Sequence, residues 1–211
     1  MLSSCKTAAQ LQQVCLLLKT PNLEATTAYY TAISSLVSKP NVNPTCPLPN
    51  GRKINIAILP SDAAESGFAF VGCEKVNEIQ DPDSRPIRFC SVNSDLFIRS
   101  MPLPSGLIVI LRSPSIEKTK EFYASYKKCQ EEQHGKGPKH YSIDWVGPFT
   151  EIYPERKVPV GAMEFIYQVP DLSTILEQVK KTRLNVISLD NSHMLINDPD
   201  GRQMKITAVF K

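Results

Sequence analysis

The 211-residue chain carries 24 Lys and Arg against 21 Asp and Glu, a net charge of +3 spread without runs. It therefore offers no basic footprint for nucleic acid or an anionic membrane. Hydrophobic residues make up 42% of it, enough for a packed core and too many for a disordered chain. No apolar run approaches the roughly 20 residues that cross a bilayer, and no basic-then-apolar segment opens the chain, so a cytoplasmic protein is expected. The six cysteines (Cys5, Cys15, Cys46, Cys73, Cys90, Cys129) form no C-x-x-C pair. Without a secretory signal they read as reduced thiols.

In chain order, Leu11–Thr20 reads as an apolar strand and Pro21–Leu36 as a helix. Thr20 suits its cap, Pro21 its first position and Glu24 its first turn. Two helices over 4–19 and 21–37 are the alternative that periodicity leaves open. The proline-rich Lys39–Arg52 is a loop. Lys53–Leu59, Gly67–Val76 and Pro86–Val92 read as extended, with Asp81-Pro82-Asp83-Ser84 as a turn. Met101-Pro102-Leu103-Pro104-Ser105-Gly106 is the best boundary, dividing an N-terminal α+β region, 1–103, from 104–211.

Beyond it, Leu107–Arg112 is a strand, and Ser115 suits the cap of a helix over Ile116–Tyr126. Two strands flank Gly135-Lys136-Gly137-Pro138, and Phe149–Tyr153 follows as another. Ala162–Val169 alternates Met163, Phe165, Tyr167 and Val169 against Glu164, Ile166 and Gln168. Asp171 suits the cap of a helix over 172–182. Asn185–Leu189, Ser192–Asn197 and Gln203–Phe210 finish as strands, the last placing Met204, Ile206 and Ala208 opposite Gln203, Lys205 and Thr207. The order strand, helix, three strands thus occurs twice, over 106–154 and 161–210.

Two internal echoes extend this pattern. Lys19-Thr20-Pro21-Asn22-Leu23-Glu24 through Tyr30 aligns without gaps on Arg112-Ser113-Pro114-Ser115-Ile116-Glu117 through Tyr123. Asp81-Pro82-Asp83-Ser84-Arg85 echoes Asp198-Pro199-Asp200-Gly201-Arg202. Three related units, 11–92, 106–154 and 161–210, are expected.

The helix ending in Phe122-Tyr123, the run Gly137-Pro138-Lys139-His140-Tyr141 leading to Glu151-Ile152-Tyr153-Pro154, the joint Val169-Pro170-Asp171-Leu172 and the closing Asp198-Pro199-Asp200-Gly201 together resemble the glyoxalase/bleomycin-resistance/dioxygenase, or vicinal oxygen chelate, superfamily. The resemblance is clearest over 104–211. It implies an α+β fold of paired βαβββ modules, whose curled mixed sheet forms a cup with helices outside. It also implies a small molecule in the cup, often at a divalent metal.

In metal-using members each unit resembles the next in giving one ligand from its first strand and one from its last. Those positions here are Ile108, Glu164, Glu151 and Lys205. Isoleucine has no donor atom, and a lysine ammonium repels a cation. Only Glu151 and Glu164 remain as metal ligands, so the quartet is broken. Cys15 and Arg88, roughly the matching N-terminal positions, do not restore it.

Glu151, Glu164 and His140 are the candidates for acid–base work. The competing reading makes Lys205 the structural ion-pair partner of one carboxylate. Ile108, Arg112, Phe149, Tyr153, Gln168 and Lys205 are the candidate ligand-binding residues. His134 reads as a turn residue, His193 as exposed, and Trp145 and Tyr167 as core. The function this supports is metal-independent binding of a small molecule, with no cofactor. A lyase, isomerase or dioxygenase around a non-standard divalent metal is the alternative, so catalysis stays open, and a non-catalytic scaffold is the third reading. An odd unit count leaves one without a partner, which makes a homodimer the expectation.

Overall fold

The computed structural model describes residues 11–36, 54–73, 76–103, 107–154, 163–169, 172–179, 184–190 and 192–208. The expected loop over 39–52, the Asp171 cap and the connector at 157–160 lie outside them. The first sheet holds β1 (Gln13–Thr20), β2 (Ile54–Pro60), β3 (Glu65–Val71), β4 (Asn77–Gln80), β5 (Pro86–Cys90) and β6 (Met101–Leu103), with helices α1 (Leu23–Leu36) and α2 (Asp95–Ile98). The second holds β7 (Leu107–Ser113), β8 (Cys129–Glu132), β9 (His140–Asp144), β10 (Phe149–Pro154), β11 (Met163–Val169), β12 (Asn185–Leu189), β13 (His193–Asn197) and β14 (Gln203–Ala208), with α3 (Ile116–Ala124) and α4 (Leu172–Val179). The fold is α+β, with two open mixed sheets.

Strand order in the second sheet is β12-β13-β14-β11-β7-β10-β9-β8. At its centre β7 and β11 run antiparallel, and each lies parallel to the last strand of its own unit, β10 and β14. The described elements thus run strand, helix, three strands twice, β7 to β10 and β11 to β14. The first sheet, β4-β5-β3-β1-β2-β6, repeats that centre. β1 and β3 are antiparallel, β1 is parallel to β2, and β3 is parallel to β5. The segment read as one unit, 11–92, is thus two half-units side by side. The first keeps its helix. The short link from Val71 to Asn77 leaves the second no room for one.

Local chemistry accounts for the differences from the sequence reading. Leu11–Thr20 is a strand and not half of a helical hairpin. Val14, Leu16 and Leu18 enter the main core while Cys15 and Leu17 enter a second apolar cluster. A strand covered on both faces reads as a continuous apolar run. β4, α2 and β6 are short and carry little pattern. β4 is a polar edge, β6 is an edge strand holding Pro102, and α2 is one turn capped by the Ser94 side chain accepting from Phe97 N at 3.3 Å. Ser115 makes no side-chain cap bond. Ser113 takes the role two residues earlier, its Oγ accepting from Ser115 N at 3.0 Å.

Between the sheets lies one shared core. Phe68 meets Tyr123 edge-on, and Phe70 packs on Tyr126 and Trp145. Val14 N donates to Val146 O at 2.8 Å. The two Asp-Pro-Asp turns lock this arrangement crosswise. Arg85 bridges Asp81 (2.7 Å) and Asp83 (2.9 Å) within its own turn and donates to the Arg112 carbonyl of β7. Asp83 accepts from Ser113 and Thr119, and Asp81 from the Tyr123 hydroxyl at 2.8 Å. In mirror fashion, Arg202 bridges Asp198 and Asp200 (both 2.7 Å) and donates to the Lys19 carbonyl of β1. Asp200 accepts from Thr26 and Asp198 from the Tyr30 hydroxyl, both at 3.2 Å. Each turn therefore docks on the strand-to-helix joint of the other half. The two sequence echoes are the two sides of one repeated contact.

The cysteines split. Cys15, Cys90 and Cys129 are free thiols, as expected. Cys73 is disulfide-bonded, which corrects the reading of all six as reduced. No described helix is long and apolar enough to cross a membrane.

Candidate functional site

The second sheet turns Val109, Leu111, Ile152, Phe165 and Ile206 into the shared core. Side chains then alternate, so the opposite face carries the candidate residues. Register fixes their places. Ile110 stands opposite Glu151 on one side and Glu164 on the other. Tyr153 faces Arg112 across the same strand pair. One rung along, Ile108 stands between Phe149 and Ile166, and Ile166 faces Lys205. Gln168 lies further along, opposite Thr207.

Two charge groups organise this face. The first is an ion pair. Arg112 donates to Glu164 through Nε (2.7 Å) and Nη2 (3.2 Å), a bidentate fork. This corrects the expectation that Lys205 holds the ion-pair role. Arg112 takes it because β7 lies beside β11 and the guanidinium reaches one rung along. The second group centres on Glu151. Its pKa is raised by burial; His140 and a hydrogen bond from Tyr153 partly offset that. Burial and the neighbouring Glu151 carboxylate push the Tyr153 phenol up to about 12, so it remains a donor. Arg112 also lies 5.1 Å from the centre of the Tyr153 ring, which joins the two groups.

His140 opens β9 beside this cluster. Its ring stacks on Tyr153 at 4.3 Å and 8°. Its Nδ1 lies 3.3 Å from the Pro138 carbonyl, and its buried Nε2 has no hydrogen-bond partner. Across the β8–β9 pair stands Glu132, whose Oε2 is 3.9 Å from His140 Nε2 and 3.6 Å from His134 Nε2. Sequence reasoning misses Glu132 and leaves His134 as a turn residue. The signal lies in the spacing: Glu-x-His before a tight turn and a second histidine six residues on puts all three at one end of a hairpin. His193 stays at the far edge, paired with Asp190 at 2.9 Å.

Solved structures resemble this arrangement over nearly its whole length. 2,2',3-Trihydroxybiphenyl 1,2-dioxygenase from the dibenzofuran-degrading Sphingomonas wittichii strain RW1 matches with a TM-score of 0.53 at 11% identity, covering 95% of this chain and 90% of that one. A catechol 2,3-dioxygenase matches at 0.51 and 12%, covering 94% and 93%. A variant of homoprotocatechuate 2,3-dioxygenase from Brevibacterium fuscum matches at 0.52 and 10%, covering 95% and 72%. The fold is the vicinal oxygen chelate fold. At these identities the likeness extends to the fold alone. No family model matches the chain. No curated protein matches its sequence.

The metal position that the resemblance implies does not fit an ion in this chain. Ile108 and Lys205 supply no ligand. Glu164 is engaged by Arg112, a fixed cation. Glu151 and Glu164 stand on strands separated by β7, about 10 Å apart at the backbone. The face offers a carboxyl whose pKa burial raises, a phenol and a guanidinium–carboxylate pair beside the apolar Ile108, Ile110, Phe149 and Ile166.

Proposed function

We propose that this face of the second sheet binds a small molecule without an ion at the metal position that the resemblance implies. The supporting observation is the contrast with the first sheet. There the equivalent face is filled by Cys15, Leu17, Ala57, Ala69, Val71 and Cys90, with Leu96 and Phe97 of α2 packed over them. In the second sheet Phe149, Glu151, Tyr153, Glu164, Ile166 and Lys205 are only half-buried. The fitting occupant has a flat apolar body for Phe149 and Ile166 and a hydroxyl, carbonyl or amide edge for Glu151 and Tyr153. Glu151, with a raised pKa and a hydrogen-bonded phenol beside it, also suits proton transfer, and this favours an enzymatic second reading.

A thermal-shift screen of small aromatic acids, phenols and amides tests the binding reading, with Glu151→Ala and Tyr153→Phe as comparators. Hits that raise the Tm of the native chain and lose at least half of that rise in either variant are the expected result. Hits that shift all three proteins equally would sink the site assignment. Turnover of a hit, lost in Glu151→Gln while binding persists, would move the protein to the enzymatic reading.

A further inference from the structure

We propose a divalent transition-metal site on the β8–β9 hairpin, formed by Glu132 Oε2, His134 Nε2 and His140 Nε2 and distinct from the metal position that the resemblance implies. The three ligand atoms all lie within 4.8 Å of one another. Metal–ligand bonds of about 2.0–2.1 Å at tetrahedral angles place ligand atoms about 3.4 Å apart. The 3.6 and 3.9 Å separations from Glu132 are close to that, and side-chain rotation of the exposed His134 supplies the rest. Two imidazoles and one carboxylate suit ions of the zinc, cobalt and nickel class better than calcium or magnesium.

The supporting shell is what separates this trio from a chance cluster. His140 is 1% exposed and its Nε2 has no partner, an arrangement that is costly unless something binds there. Its Nδ1 lies against the Pro138 carbonyl, which can only accept, so Nδ1 is the donor there and Nε2 is the nitrogen turned toward Glu132. Stacking on Tyr153 fixes the ring plane. Ser142 donates to Glu132 Oε1, orienting the carboxylate and leaving Oε2 for an ion. Glu132 and His140 are direct cross-strand partners, so the hairpin itself preorganises two of the three ligands. Three protein ligands leave at least one coordination position open. The site adjoins Glu151, whose charge is coupled to His140, Glu132 and His134, so an ion here would sit at the edge of the proposed small-molecule face.

The probe is Co²⁺, titrated into untagged full-length protein after chelator treatment and followed by its visible d–d spectrum and by calorimetry. One equivalent is expected, displaced by Zn²⁺. His134→Ala alters a side chain that is 70% exposed and should leave the far-UV spectrum and Tm unchanged, yet weaken Co²⁺ binding about a hundredfold. Glu151→Gln should retain it, which separates this site from both the metal position that the resemblance implies and the small-molecule reading. No saturable uptake below millimolar Co²⁺ overturns the proposal. So does uptake that survives His134→Ala, or that is lost in Glu151→Gln.

Discussion

The two sheets of this protein share a centre and differ in what they do with their open faces. Register equates Leu17 with Ile110, Ala57 with Glu151, Gly67 with Glu164 and Leu59 with Tyr153. It likewise equates Lys19 with Arg112 and Arg88 with Lys205. Each carboxylate and phenol of the second face is thus matched by a small or apolar residue in the first, and only the basic positions persist in both. Among the described residues the first half has α1 and the one-turn α2, whose Leu96 and Phe97 pack on the cluster. One face is core while its counterpart is half-buried surface. The crosswise clamps, by contrast, are the same on both sides. Packing therefore constrains the two joints alike, while the grouping of Glu151, Tyr153 and Glu164 is confined to one sheet.

The comparison breaks most visibly at the clamps. Arg85 is 0% exposed and Arg202 8%. Arg85→Met leaves Asp81 and Asp83 buried without a cation and should cost about 3–5 kcal/mol in urea unfolding. Arg202→Met should cost less, because water reaches that turn. The reverse ranking would show that the two clamps are not equivalent devices.

Exchange of the face residues comes next. Ala57→Glu puts an unpaired carboxylate where the chain has built core, and a loss of several kcal/mol is expected. Glu151→Gln in the other sheet should do the opposite. Burial raises the Glu151 pKa, so its ionised form lowers stability progressively as pH rises from the ordinary carboxylate pKa through the raised one. The variant should therefore melt higher than the native chain at pH 7 and equally at about pH 3.5, where both side chains are neutral. A native chain more stable than Glu151→Gln at pH 7 would contradict the desolvation account.

Two glycine tests are finer. A Cβ on Gly67 would lie 1.9 Å from the Pro86 carbonyl oxygen, so Gly67→Ala should cost about 1–3 kcal/mol by denaturant unfolding. This is why the site equivalent to Glu164 admits no side chain in the first sheet. The smallest effect is at the matching turn positions. Gly201 sits at φ +81° and Ser84 at φ +65°. A left-handed serine costs about 1–2 kcal/mol, partly offset by the extra chain entropy of glycine. Ser84→Gly should thus raise stability by about 0.5 kcal/mol, and a Tm below that of the native chain would count against the turn equivalence.

Much of the second sheet was legible in the sequence. Alternation in Met163–Val169 and Gln203–Ala208 assigns the two faces because side chains on a strand point alternately. The Asp-Pro-Asp turns and the strand–Pro–helix joints declare themselves through residues whose backbone preferences are strong. The first sheet was harder to read. Its strands are covered on both faces, so periodicity disappears, and its edge strands β4 and β6 are only four and three residues long.

What the sequence determined by itself is local: turns, joints, alternating faces and the repetition of each. What only the tertiary structure decided is which repeat meets which. That the Asp81 turn clamps the Tyr123 helix, that Arg112 rather than Lys205 takes Glu164, and that His140 Nε2 points unpartnered at Glu132 all depend on strand order and register. Those are set by the burial of a whole sheet face and not by the preferences of any one segment.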